Sequence, residues 1–226
     1  GGLFDSCAFG VSADSRVIVG CGASANGREA AQWVDGRLSS LTEPGNPVRP
    51  GVAVRASDDG SVIVGLAVVP GGIEAFRWRA GKVIGLGDFP GGAHESVAGD
   101  VSADGRVIVG EGRPTITTAA VAYPFRWTES TGLVSLGELP GGAEGGSATG
   151  GAADGWVVVG ASLSANGQEG FVWDPVRGMR SLNHVLSQVY GVNLTGWTIF
   201  DASAISADAT VIVGRAINIM NPPNYY

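Results

Sequence analysis

The sequence predicts an all-β fold, a β-propeller of about five four-stranded blades with an incomplete last blade, and three observations carry that prediction. One ten-residue string is written five times: VSADSRVIVG (Val11–Gly20), ASDDGSVIVG (Ala56–Gly65), VSADGRVIVG (Val101–Gly110), GAADGWVVVG (Gly151–Gly160) and ISADATVIVG (Ile205–Gly214). The copies end 45, 45, 50 and 54 residues apart, about the period of a four-stranded blade. The first four copies are each followed by a segment ending in tryptophan, namely EAAQW (29–33), EAFRW (74–78), YPFRW (123–127) and EGFVW (169–173).

A further element completes each unit. It reads KVIGLGDFPGG (82–92) and LVSLGELPGG (133–142), with weaker versions at 38–41 and 179–182. The third unit then holds strands A (Val97–Ser102), B (Arg106–Gly110), C (Tyr123–Trp127) and D (Leu133–Leu136). The A–B link is a tight hairpin in which Asp accepts local backbone bonds and Gly takes the left-handed position of a bulge. Ser15 and Ala209 replace that Gly in units one and five and are expected to carry strain. Strand B is apolar on both faces, so its sheet needs cover on both sides. Small residues (Ala8, Gly10, Ala98, Gly99) suit an innermost strand A, and the aromatic residues of strand C suit the widening periphery.

These repeats make one domain over 1–226, with units at about 7–50, 51–95, 96–145, 146–199 and 200–226. The fifth unit has A and B but no tryptophan-bearing C. Gly1 and Gly2 match the glycines that close strand D elsewhere, so the D strand before the first unit is missing. Either the ring closes through these irregular ends or the chain belongs to a larger parent.

Composition narrows the function classes. Glycine is abundant, 38 of 226, yet 44% of residues are hydrophobic, which fits a turn-rich folded protein and not a disordered linker. Charged residues are 15% and the net charge is -7, with no Lys/Arg run, which argues against nucleic acid or an anionic membrane as partner. No apolar run exceeds five residues, so no transmembrane segment is expected.

The strings GVSADSRVIVG, ANGREA, EAFRW and GLGDFPGG resemble the HAF repeat of extracellular bacterial proteins, including some autotransporter passengers, and 182–214 resembles the terminal part of such arrays. The resemblance covers essentially the whole chain. It implies secretion or display on a bacterial cell surface and brings no catalytic residues.

Cys7 and Cys21 fall opposite each other if the hairpin is closed by Ser12 and Arg16, at a position where Cα atoms approach most closely. A cross-strand disulfide is expected, helped by the extracellular reading; two buried free thiols are the alternative. The same sites in the fifth unit hold Asp201 and Arg215, a cross-strand ion pair.

The five turn aspartates (Asp14, Asp59, Asp104, Asp154, Asp208) lack the ligand density of a calcium loop and read as turn formers. Glu29, Glu74 and Glu169 with Arg77, Arg126 and the C-strand tryptophans suggest a sugar pocket, against the plainer expectation that Glu and Arg reach out to solvent at the rim. The D–A loops and the B–C loops (22–28, 67–73, 111–122, 162–168) vary and share one face, where function is expected. That face collects Glu43, His94, Glu95, Glu111, Arg113, Glu144, His184, Tyr190 and Trp197, all but Glu43 read as ligand-binding candidates. Residues 181–192 are expected to form a short amphipathic helix with Leu182, Val185, Leu186 and Val189 packed inward. The leading functional expectation is a binding or adhesion module for a glycan or partner protein, without metal or cofactor. The alternatives are a polysaccharide lyase or hydrolase using His94, Glu95, Glu144 and His184, and a structural spacer.

Overall fold

The computed structural model describes residues 6–25, 27–91, 94–113, 121–142 and 145–220. Each repeated string folds as the expected hairpin. In the third, Ser102 Oγ donates to Asp104 Oδ1 (2.7 Å) and accepts the Val107 N–H (2.9 Å), while Asp104 Oδ1 accepts the Arg106 N–H (3.0 Å). Gly105 sits at φ 70°, and Ser15 and Ala209 hold the same left-handed conformation at 62° and 58°. The glycine ending strand B has a different cause. A Cβ on Gly110 would lie 2.1 Å from the Val97 carbonyl oxygen, because strand A bulges against it.

Four antiparallel four-stranded sheets and one pair result. They are β1–β4 (Ser6–Val11, Val17–Ser24, Gly27–Val34, Arg37–Ser40), β5–β8 (Arg49–Ala56, Val62–Val69, Gly72–Arg79, Lys82–Gly85), β9–β12 (Ser96–Val101, Val107–Gly112, Tyr123–Thr128, Gly132–Ser135), β13–β16 (Gly146–Gly151, Val158–Ser164, Gly167–Asp174, Gly178–Ser181), and the pair β17–β18 (Trp197–Ile205, Ile212–Asn218). The A strands β1, β5, β9, β13 and β17 touch in series and line the inner side, which is the blade order of a propeller. The B–C connections are tighter than expected. In blades one, two and four, B and C run on to within two residues of each other, with glycines 27, 71 and 167 at φ 104°, 102° and 99°. Asn-Gly at 26–27 and 166–167 was the available hairpin signal.

The core lies between blades. Val62, Val64 and Ala75 of blade two pack with Ile108, Phe125 and Trp127 of blade three, and similar clusters join one to two, three to four, and four to five. The turns add a second tie. The Ala13 N–H donates to the Asp58 carbonyl (3.0 Å), Asp58 to Ala103 (3.2 Å), Ala103 to Ala153 (2.9 Å) and Ala153 to Ala207 (3.0 Å). At each inner junction the turn glycine rests on the first valine of the preceding blade's strand B. A Cβ on Gly60 or Gly105 would lie 2.4 Å from Val17 or Val62, and one on Gly155 would lie 2.5 Å from Val107.

Strand B is covered on both faces only in blades two to four. Phe9, Val11 and Ile18 in the first sheet and Val211, Ile212 and Val213 in the fifth are exposed, so the outer faces of these sheets stay open among the described residues. The cysteine register is as expected, Cys7 opposite Cys21, but both are free thiols and not a disulfide. Burial raises the Cys21 thiol, against the opposing charge of Arg28. Asp201 and Arg215 form the expected cross-strand ion pair. The first D–A loop is fixed by Glu43, which accepts from Lys82 Nζ (2.6 Å), the Val83 N–H (3.0 Å) and Asn46 Nδ2 (3.0 Å).

Gly105→Ala is expected to cost about 2–3 kcal/mol in chemical denaturation, because it adds both left-handed strain and a methyl against Val62. Ser15→Ala should change stability by less than about 0.5 kcal/mol. An equal loss at both sites would show that the neighbouring valine does not set the requirement. Hydrogen bonds from Lys82, Val83 and Asn46 hold the Glu43 carboxyl down to about 2, against an ordinary value of 4.5. Its stabilisation is therefore complete above about pH 4.5 and is lost as pH falls toward 2. Glu43→Gln should flatten that part of the acid-denaturation curve, and an unchanged acid limb would contradict the assignment.

Candidate functional site

The expected face gathers its side chains into separate places. His94 Nδ1 lies 3.7 Å from Glu74 Oε2, and the His94 carbonyl accepts the Ile73 N–H (2.8 Å). Glu95 is ion-paired with Arg113, its N–H donates to Asp88 Oδ2 (3.1 Å), and its carbonyl accepts the Arg113 N–H (3.0 Å). These contacts among six residues tie the blade two–three junction together. Glu111 lines a different cleft of 730 Å³ along the inner A strands, with Arg55, Gln168, Asp201 and Arg215. Glu144 lies outside the described residues. His94 and Glu95 therefore do not share a cleft with His184, as an acid–base set built from them would require.

His184 and Trp197 do come together. They line a cleft of 860 Å³ between blades four and five, together with Glu169, Arg180, Asn183 and Ser187, with Leu139, Pro140, Leu194 and Ile219 as apolar wall. One wall is a short helical segment, α1 (Leu182–His184), capped by Ser181 Oγ, which accepts the His184 N–H at 3.3 Å. The expected amphipathic helix is not continuous. From Val185 to Val189 the chain makes a π-helical turn, closed by the Tyr190 N–H on the Val185 carbonyl (3.2 Å). The wider turn rotates the stripe. Leu182 and Val185 stay buried, whereas Val189 is 65% exposed and Tyr190 projects into solvent. Asn183 clamps the segment to blade five, donating to the Ile199 carbonyl (3.1 Å) and accepting the Ile199 N–H (2.7 Å). Trp197 opens β17 on the facing wall and is 48% exposed.

The C-strand glutamates separate once their neighbours are compared. Glu74 and Arg77 do not reach to solvent as the rim expectation held; both are buried. Glu74 Oε1 accepts the Gly87 N–H (2.6 Å), and its carboxylate lies over Gly85, where a Cβ would meet it at 2.2 Å. Arg77 stacks over the Trp127 ring (5.9 Å) and Arg126 Nε donates to the Gly155 carbonyl (3.0 Å), so both serve blade-to-blade packing. In blade one, Ser40 Oγ donates to Glu29 Oε2 (3.1 Å).

Blade four departs from this arrangement. Register places Ser181 where blade two has Gly85, since Phe171 pairs with Ser181 as Phe76 pairs with Gly85. A side chain thus occupies the place of Glu74's carboxylate, and its hydroxyl is engaged as the helix cap. Asn183 replaces Gly87 and is turned to Ile199. Glu169 is 6% exposed, lines the cleft, and has no hydrogen-bond or ion-pair partner among the described residues. The sequence signal was the break from GLGDFPGG to SLNHVLSQV within an otherwise regular repeat.

No family model matches the chain and no curated protein does. Solved structures do resemble it. TolB from Acinetobacter baumannii superposes with a TM-score of 0.51 at 21% identity, over 76% of this chain and 41% of that one. A protein assigned as TolB from Agrobacterium tumefaciens gives a TM-score of 0.57 at 15% identity, over 80% and 66%. The chain thus spans about two-fifths to two-thirds of the length of these neighbours. At such identities the likeness concerns architecture alone, and the architecture is that of a β-propeller.

Proposed function

We propose that this propeller is a secreted or surface-displayed bacterial binding module that takes a glycan in the cleft between blades four and five. The observation that carries the reading is the lining of that cleft. A half-exposed indole, Trp197, and the carboxylate-bearing Glu169 line one space walled by aliphatic side chains and edged by Asn166, Ser187 and Thr198. Sugar rings offer an apolar face to an aromatic ring and hydroxyls to polar groups, and the volume lies within the range of small-ligand sites. The setting adds support. The cleft lies on the D–A loop face of a rigid repeat scaffold. The resemblance to HAF repeats favours a place outside the cell, and no helix among the described residues is long and apolar enough to cross a membrane.

The purified protein is expected to retain a subset of immobilised oligosaccharides. Trp197→Ala should weaken that retention by at least about 10-fold without changing the melting temperature by more than a few degrees. Absence of binding to every saccharide, or unaltered binding by the alanine variant, would overturn the assignment to this cleft.

A further inference from the structure

We infer that β18 of the fifth sheet is a docking edge for a second copy of this chain. The two β18 strands pair antiparallel about a two-fold axis, so that β17–β18 of one copy and β18–β17 of its partner form one sheet. In each of the other four sheets strand B pairs with A on one side and with C on the other. β18 stands in the place of strand B and pairs with β17 alone, so its other edge has no strand beside it among the described residues. Because β17 lies on the inner side, that edge faces the periphery, and β18 meets the rest of the described protein chiefly through β17.

An open edge invites pairing, and proteins blunt such edges by keeping them short, charging them or bulging them. On the periphery, the other four sheets end in β4, β8, β12 and β16, each four residues long. β18 has seven residues and reads IVGRAIN. Ile212, Val213 and Ile217 favour a strand, neither Lys nor Pro interrupts it, and its one charge, Arg215, is answered by Asp201 within the sheet. The bulges fall on β17, at Phe200 and Ser203, and leave β18 with an unbroken register. The edge is therefore long, regular and largely apolar.

The repeat indicates what fits it. Elsewhere strand C runs antiparallel to B, and D antiparallel to C. A two-fold copy presents its own β18 antiparallel to the first, where C would stand, and its β17 follows in the place of D. Two sheets of two strands thereby become one of four, the number in every other blade. A two-stranded hairpin is marginal by itself, and each copy supplies what the other's last blade lacks. Since the contact is self-complementary, it closes at two copies. A single short ladder is a small interface, so the dimer is expected to dissociate at about 10–100 µM.

Sedimentation equilibrium of the 226-residue protein from well below to well above that range, with hydrogen exchange at both extremes, tests the inference. Association should stop at the dimer, and amides within Ile212–Asn218 should exchange at least about 10-fold more slowly at the high concentration. Lysine at both Val213 and Ala216, which are exposed and lie on opposite faces of the strand, should weaken association at least about 10-fold and leave the melting temperature at low concentration unchanged. Ile84→Lys, at an exposed position of the short edge strand β8, should leave association as it was. A protein that stays monomeric, one that forms oligomers larger than a dimer, or a dimer in which exchange of β18 is unchanged would overturn the inference. So would a double lysine variant that dimerises as the wild type does.

Discussion

The fold depends on how closely one blade's turn can approach the next. Backbone hydrogen bonds run from turn to turn, from Ala13 through Asp58, Ala103 and Ala153 to Ala207. At the three inner junctions the turn glycine (Gly60, Gly105, Gly155) leaves no side chain between the turn and the preceding blade's valine. That contact explains why the ten-residue string is repeated so faithfully. Its serine and aspartate shape the hairpin, its glycine admits the neighbour, and its valines supply both layers of the interblade core. A change at one of these positions is felt by two blades.

The candidate site appears where this regularity lapses. In blades one and two the D strand or the turn beyond it satisfies the C-strand glutamate, through Ser40 Oγ or the Gly87 N–H. Blade four replaces that segment by a capped helical turn, so Ser181 and Asn183 acquire other duties and Glu169 is left facing a cleft. The repeated turns satisfy their polar groups locally, whereas the cleft brings together Glu169 and Arg180 Nε, neither with a partner among the described residues.

The period, the strand order and the hairpin chemistry were legible because they are local and occur several times; the Ser-Ala-Asp-Gly turn carries its own backbone conformation. Cys7 facing Cys21, and Asp201 facing Arg215, followed from counting out of that turn. The π-helical turn was not legible, since Leu182, Val185, Leu186 and Val189 keep helical spacing and only the Val185–Tyr190 hydrogen bond reveals the extra residue. Nor could spacing place His94 and His184. Both belong to D–A loops, but which junction each loop serves is a three-dimensional fact, and here they serve different ones. Glu169 resembles Glu74 in sequence and differs only in what the following strand offers it.

The two walls of the cleft belong to different blades, Glu169 and Arg180 to the fourth and Trp197 to the fifth. The fifth sheet meets the rest of the described protein chiefly through blade four and its helical segment. In a stack where each unit is stabilised by its neighbours, such a sheet is a leaf attached along one spine. A molecule lodged in the cleft is a clasp across that spine. Occupancy and the docking of the last sheet are then linked, and each strengthens the other by the same free energy.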